Sequence, residues 1–134
     1  MTVLDSSAII AILSSEPEAG VLIAVLERAE GAATSPIAVY EAALGLRRKR
    51  HSSLAEAEAD VMEFLALAHV RVAEIEPGAA HGALDAFARY GKGMQHPAQL
   101  NLGDCFAYSQ AKSLGAALLF KGDDFVMTDI PAAV

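Results

Sequence analysis

The chain has 134 residues, of which 54% are hydrophobic, so it has the length of one domain and enough apolar material for a core. Its formal net charge of -7 excludes a protein-wide attraction to nucleic acid or to an anionic membrane, although a metal site could still handle phosphate groups. The single cysteine, Cys105, excludes an internal disulfide, and neither a membrane span nor a signal peptide is visible, so we expect a single domain over residues 1–134 in a reducing cytoplasm.

The chain opens on a short apolar run, Val3-Leu4, which is followed by Asp5 and then by Ser6-Ser7. This pattern predicts a buried strand that ends at Asp5 and a helix that starts at about Ser7. A strand buried on both faces suits the centre of a parallel sheet, and ligands bind beyond the carboxyl ends of such strands. Asp5 is therefore a candidate site residue, and a helix-capping role is the simpler alternative.

Prolines predict the starts of three helices. Pro17, Pro36 and Pro77 each stand where a missing amide hydrogen and a fixed φ suit the first helical turn. We expect the helix from Pro17 to end at Gly31, and residues 32–34 to form a short strand before the next helix. The helix from Pro36 carries an acid, Glu41, among apolar neighbours, and it closes on a run of five basic residues.

The middle of the chain predicts a helix, a strand and another helix. Ser53 and Glu56 have capping-box spacing at the start of the first. Residues 70–75 alternate between apolar and polar, which is typical of a strand nearer the edge of a sheet. His81 and Asp85 lie one turn apart on the second helix, and we interpret them as a solvated polar pair because no third metal ligand is nearby.

Two acidic stretches follow near the end of the chain. A glycine-rich polar loop ends at 101–104, Asn-Leu-Gly-Asp, where a helix begins, so Asp104 falls in its first turn. The apolar residues 116–120 predict a strand, and the pair Asp123-Asp124 comes directly after its carboxyl end.

The order of the predicted elements indicates an α/β fold with a parallel sheet. Right-handed crossovers would bring Asp5, Glu41, Asp104 and the pair Asp123-Asp124 to one edge of that sheet. Carboxylates clustered without lysines between them repel one another, and a divalent cation among them relieves the repulsion. An all-oxygen site selects Mg²⁺ or Mn²⁺ over zinc, and such an ion suits phosphoryl transfer.

At this point the sequence resembles the PIN-domain ribonucleases, specifically the VapC-type toxins of bacterial toxin–antitoxin pairs. The matching stretches span the chain: residues 3–8, Glu41, residues 101–108 and residues 118–125. The resemblance implies a three-layer α/β/α sandwich with a central, mostly parallel sheet. It also implies Mg²⁺-dependent endoribonuclease activity, with Mn²⁺ as an alternative cation.

The same resemblance implies roles for individual residues. Asp5 and Asp104 are expected to be the main metal ligands, and Glu41 and one acid of the final pair are expected to complete the site. Ser7 matches a small hydroxyl residue that in the family supports the first aspartate. Some family members carry the fourth acid at the position occupied here by Gly122.

The fourth acid must be chosen between Asp123 and Asp124, because adjacent residues point in different directions. A large aromatic, Phe125, should be buried and fix the register. If the chain stayed extended, Asp123 would share the face of Phe125. The resemblance instead aligns Asp124-Phe125 with a frequent Asp-Phe pair, so we select Asp124 and expect Asp123 to be a turn or capping residue.

Partners follow from the same resemblance and from two surface features. We expect an RNA substrate and inhibition by a small cognate antitoxin. The basic run at 47–51 suits a solvated helix end, and the functional hypothesis is that it contacts RNA phosphates. The apolar residues Val61, Met62 and Leu65 lead us to expect a homodimer through helical surfaces, although core packing is the simpler interpretation.

Three rival interpretations remain. An Asp-nucleophile phosphatase would need an acid two residues after Asp5, where this chain has Ser7. A phosphoacceptor receiver domain would need an aspartate at the end of the middle strand, where only Glu74 and Glu76 are available. The third is a catalytically inert PIN-like module that binds RNA or a partner, and an incomplete acid set would favour it.

Overall fold

The structure, a computed structural model, describes residues 1–134. Four strands and six helices follow one another along the chain. Their bounds are β1 Thr2–Leu4, α1 Ser6–Leu13, α2 Ala19–Arg28, β2 Ala32–Thr34, α3 Pro36–Arg50, α4 Leu54–Leu67, β3 Val70–Val72, α5 Ala79–Tyr90, α6 Leu102–Leu114 and β4 Ala117–Leu119. None of these helices has the length and apolar character needed to cross a membrane.

The four strands form one sheet in the order β3-β2-β1-β4, and every pair is parallel. The predicted parallel sheet is therefore confirmed, with β1 in its interior and β3 at one edge. Thr2 of β1 lies opposite Ala32 of β2 on one side and Ala117 of β4 on the other. The chain adds β2 and β3 on one side of β1 and later adds β4 on the other side. The direction of the strand order therefore reverses between β1 and β4, and this reversal is the switch point of the sheet.

Helices cover both faces of the sheet. Successive strand residues point to opposite sides, so each strand contributes apolar side chains to a core on each face. Val3 and Leu118 pack into a core with α5 and α6, whereas Leu4 and Leu119 pack into a second core with helices from α1 to α4. This is the predicted three-layer α/β/α sandwich. The carboxyl ends of β1 and β4 lie side by side, since Leu4 is opposite Leu119.

The proline predictions are right at one position and wrong at two. Pro36 is the first residue of α3, and the side chain of Ser35 caps the helix by accepting the Ala38 N–H at 3.1 Å. Pro17 and Pro77 instead precede α2 and α5, which begin two residues later. Before α2, the Glu16 carboxylate binds two lysines from other segments, so a tertiary ion-pair network fixes this turn.

The glycine prediction for α2 is also wrong. The helix ends at Arg28, and Gly31 lies beyond it with φ +112°, a left-handed conformation that favours glycine. The carbonyl of Gly31 accepts the Thr2 N–H at 3.0 Å. Gly31 therefore forms the turn that leads into β2 beside β1 rather than the end of the helix.

The apolar surface predicted on α4 is mostly core. Val61 and Leu65, four residues apart, are 0% and 1% exposed, whereas Met62 is 45% exposed. Residues four apart share one face of a helix, and this face of α4 packs on the sheet side. The expected dimer surface built on Val61, Met62 and Leu65 is thus reduced to Met62.

Candidate active site

Asp5 lies directly after β1 and is the N-cap of α1, which begins at Ser6, one residue before the predicted helix start. Its Oδ2 atom accepts the backbone N–H of Ser7 at 3.0 Å and the hydroxyl of Ser7 at 2.6 Å. Its Oδ1 atom is buried and has no hydrogen-bond partner. The capping role is therefore real, but it uses one carboxylate oxygen and leaves the other free for a ligand.

Ser7 joins β1 to the neighbouring strand β4 at the point where both strands end. Its hydroxyl donates to Asp5 and accepts the backbone N–H of Lys121 at 3.0 Å. In addition, the backbone N–H of Asp5 donates to the Leu119 carbonyl at 2.9 Å. These bonds fasten the carboxyl end of β1 to that of β4 and fix the orientation of the Asp5 carboxylate.

Asp104 is the third residue of α6 and forms a capping box with Asn101. The Asn101 side chain accepts the Asp104 N–H at 2.9 Å, and Oδ2 of Asp104 accepts the Asn101 N–H at 3.1 Å. Burial raises the pKa of Asp104 to about 7, with further contributions from the charges of Asp5, Asp124 and Glu41. Asp104 is thus held rigidly beside the other acids in a poorly solvated environment.

Glu41 reaches the same region from α3. Its Oε1 atom accepts the Ser6 hydroxyl at 3.3 Å, and its carboxylate lies against the first turn of α6 at Gly103. Burial, and then the charge of Asp5, raises the pKa of Glu41. The sheet topology therefore brings Glu41 beside Asp5 and Asp104.

The two acids after β4 have different surroundings. The backbone turns at Gly122, where φ is +101°, so strand alternation does not extend to these residues. Phe125 is 3% exposed, as expected for an anchor. The charge of Asp124 contributes to raising the pKa values of Asp5 and Asp104. The carbonyl of Asp123 accepts the Val126 N–H at 3.3 Å, which is a turn contact.

The acid cluster carries negative charge without compensation. None of its four members, Asp5, Glu41, Asp104 and Asp124, takes part in an ion pair, and the side chain of the nearby Lys121 is bound by glutamates outside the cluster. As the side chains stand, no three acidic, histidine or cysteine groups are close enough together to hold a metal ion. Like charges repel, so carboxylates without a cation between them spread apart.

The residues nevertheless fit a divalent cation. A buried carboxylate oxygen without a partner, Oδ1 of Asp5, carries a desolvation cost that a cation would offset. The donor set consists of oxygen atoms alone, which suits Mg²⁺ or Mn²⁺. Asp5 and Asp104, the two most buried acids of the chain, would hold the ion.

Sequence reasoning missed two residues of this site. Asn101 orients Asp104, and the signal was present as the Asn-x-x-Asp spacing of a capping box. Gly103 makes room for Glu41, and its signal was a glycine at a helical position where alanine is the more stable choice. His81 and Asp85, interpreted as a polar pair, take part in no metal-binding group.

Comparisons with known proteins agree with the fold. The PIN domain family model matches residues 2–130. A VapC ribonuclease of Rhizobium meliloti (strain 1021) is 40% identical to this chain in an alignment 141 residues long, which covers 97% of this chain and 99% of the relative. Ribonuclease VapC42 of Mycobacterium tuberculosis (strain ATCC 25618 / H37Rv) is 40% identical over 131 residues, which cover 98% of each protein.

A solved structure extends the comparison to three dimensions. The crystal structure of Mycobacterium tuberculosis VapC20, a Sarcin-Ricin loop cleaving toxin, superposes with a TM-score of 0.75 over 97% of this chain and 96% of that one. At 15% sequence identity this likeness concerns the fold. The family match and the full-length relatives show that the chain belongs to the PIN-domain family, among the VapC ribonucleases.

Proposed function

We propose that the chain is the toxin of a toxin–antitoxin pair and cleaves RNA as a Mg²⁺-dependent endoribonuclease, with Mn²⁺ as an alternative cation. Its membership of the VapC ribonucleases supports the reaction class. The observation that carries the assignment of the site is the free, buried Oδ1 atom of Asp5 within a cluster of four acids that have no ion-pair partner.

In this proposal Asp5 and Asp104 hold the cation, and Glu41 and Asp124 complete the acidic cluster. Ser7 keeps the Asp5 carboxylate in one orientation, and Asn101 does the same for Asp104. A bound divalent cation neutralises phosphate charge and lowers the pKa of a water molecule for attack on the phosphodiester bond. The preformed hydrogen bonds to the acids mean that little side-chain ordering is needed when substrate arrives.

The test is RNA cleavage by purified protein with and without added Mg²⁺ or Mn²⁺. We expect cleavage with the cation, none after chelation, and none from the Asp5→Asn or Asp104→Asn variants. Asparagine at position 5 caps a helix as well as aspartate does, and the amide oxygen of asparagine at position 104 still accepts the Asn101 N–H. Both substitutions remove like-charge repulsion, so the melting temperature of the metal-free variants should be unchanged or raised. Their stabilisation by added Mg²⁺ should be smaller than that of the wild type.

Two outcomes would contradict the proposal. Unfolding of the Asp5→Asn variant would make this residue structural rather than catalytic. A wild-type protein that binds RNA but does not cleave it with either cation would favour the alternative, a catalytically inert PIN-like binding module.

We also propose that the toxin is inhibited by a small cognate antitoxin. The antitoxin should lay an amphipathic helix near the acid cluster and offer a basic side chain to it, because the four acids lack a cationic partner. Adding the product of the adjacent gene to the cleavage assay should suppress cleavage. Unaffected cleavage would remove this partner from the proposal.

A further inference from the structure

Gly103 is the second residue of α6, and its backbone does not require glycine. Its φ angle is not in the positive range that favours glycine, and it lies in a regular helix. Glycine at such a position is less favourable for the helix than alanine, because it loses more conformational freedom on folding. The residue therefore needs an explanation other than helix formation.

The space that a side chain at Gly103 would fill is occupied by Glu41. A Cβ atom built on Gly103 would clash with Oε1, Oε2 and Cδ of the Glu41 carboxyl group. Gly20 provides the matched comparison, since it is the second residue of α2 and a Cβ atom there would meet nothing within 4 Å. The close approach is thus a property of Gly103 and not of glycines early in helices.

The space left by the missing side chain of Gly103, here called the recess, determines how Glu41 reaches the acid cluster. The side chain comes from α3 and lies against α6 immediately beside Asp104, whose environment its charge affects. The Ser6 hydroxyl binds Oε1 of Glu41 at 3.3 Å. The end of a glutamate side chain is flexible, so a methyl group at position 103 would turn the carboxylate away while leaving the two helices in place.

We propose that Gly103 is a positioning residue, whose missing side chain admits the Glu41 carboxylate to the acid cluster so that it can act on a divalent cation held by Asp5 and Asp104. This inference rests on the proposed metal-dependent function, which it deepens. Gly103 touches neither metal nor RNA in this scheme and acts through Glu41 alone.

The experiment compares Gly103→Ala with Gly20→Ala, using Mn²⁺ alone as the probe. Both variants replace a glycine at the second position of a helix, so both should have an unchanged or raised melting temperature without metal. Gly103→Ala should bind Mn²⁺ about tenfold more weakly by titration calorimetry, as is typical when a supporting residue of a metal site is removed. Gly20→Ala should bind Mn²⁺ like the wild type. RNA cleavage should be reduced in Gly103→Ala and unchanged in Gly20→Ala, in parallel with their Mn²⁺ affinities.

A double-mutant cycle tests whether Gly103 acts through Glu41. In a Glu41→Ala background the Gly103→Ala substitution should have no further effect on Mn²⁺ affinity, because the carboxylate to be displaced is gone. An equal decrease of affinity in both backgrounds would overturn the inference. So would a lowered melting temperature of Gly103→Ala, which would make the recess a packing feature.

The wild type separates this inference from the function on which it rests. If the wild type binds Mn²⁺ and cleaves RNA while Gly103→Ala is unaffected, the positioning role alone is overturned. If the wild type neither binds Mn²⁺ nor cleaves RNA, the proposed function is overturned and the inference falls with it.

Discussion

Asp123 and Asp124 are adjacent in sequence, but the chain turns at Gly122 and gives them different surroundings. The charge of Asp124 helps to raise the pKa values of Asp5 and Asp104, and this supports its proposed role as the fourth acid. Asp124→Asn should impair RNA cleavage about tenfold or more, as removal of a supporting group at a metal site typically does. High Mg²⁺ concentrations should restore part of the activity. Asp123→Asn is the control and should do little.

The assay is cleavage at several Mg²⁺ concentrations with both single variants. The reverse pattern would transfer the role to Asp123. If neither substitution had an effect, three acids would suffice for the reaction.

Asp129 fastens the end of the chain to two helices. Its carboxylate accepts the Tyr108 hydroxyl at 2.5 Å and lies 2.8 Å from the Lys112 ammonium and 3.4 Å from the Arg89 guanidinium. The hydrogen bond from Lys112, followed by that from Tyr108, holds the pKa of Asp129 well below its usual range. Because the folded-state pKa is depressed, this stabilisation is present above the unfolded value and is lost as the pH falls.

Asp129→Asn should therefore lower the free energy of unfolding at neutral pH by about 1 kcal/mol, a modest value because the side chain is 41% exposed. The difference from the wild type should shrink as the pH falls below the ordinary aspartate value of 3.8. Urea denaturation at several pH values measures it. Asp85→Asn is the control, since Asp85 lies 4.0 Å from Arg89 and is 58% exposed. An equal effect of the two substitutions would contradict this account.

At the scale of elements, α3 combines a site residue with a basic end. Lys49 pairs with Glu16 and Arg50 with Asp60, whereas Arg47 and Arg48 are not engaged in any ion pair. Glu41 and Arg48 are seven residues apart, so they share a helix face about 10 Å apart along its axis. The end of α3 therefore carries two exposed arginines without ion-pair partners, of which Arg48 lies on the same face as Glu41.

Replacing Arg47 and Arg48 together by alanine should weaken RNA binding. It should also reduce the slope of log affinity against log salt by about 0.7 for each phosphate that the variant no longer neutralises. Arg28→Ala is the control, because Arg28 is exposed at the end of α2 and forms no ion pair. Fluorescence anisotropy with a short single-stranded RNA, on the Asp104→Asn background to prevent cleavage, measures both quantities. Unchanged binding would remove the basic end of α3 from the RNA path.

At the scale of the whole molecule, large apolar side chains remain exposed on several helices although the core is complete. Leu67 of α4 is 73% exposed and Leu84 of α5 is 68% exposed. A contiguous exposed apolar patch marks a surface that contacts another protein, whereas single exposed leucines such as these are also found on monomers. We expect a homodimer through helical surfaces, to which the mostly buried patch at Val61 and Leu65 contributes nothing. Light scattering over a range of concentrations should give twice the mass of the chain. A monomer at every concentration would contradict this expectation.

Local signals in the sequence account for much of the fold. The parallel α/β class follows from the order of strands and helices, and the edge position of β3 follows from its polar alternation. Short polar residues before helices identified the caps at Ser35 and, as an alternative, at Asp5. Pro17 and Pro77 misled the prediction, because a proline suits the turn before a helix as well as its first residue.

The sequence by itself identified the four acids that we propose for the site: two that follow strands, one in the first turn of a helix, and Glu41 within a helix, in a pattern that resembles one nuclease family. It also determined that Phe125 is an anchor, because a large aromatic residue gains free energy on burial wherever the chain allows it. These properties depend on residue type and on neighbours along the chain.

Only the tertiary structure decided how the acids are held. The strand order places β4 beside β1, so that Ser7 can join Asp5 to the end of β4 and leave Oδ1 of Asp5 free. The packing of α3 against α6 brings Glu41 into the recess at Gly103. Both contacts join residues that are far apart in the sequence, and no local pattern encodes them, because they exist only once the sheet has brought distant segments together.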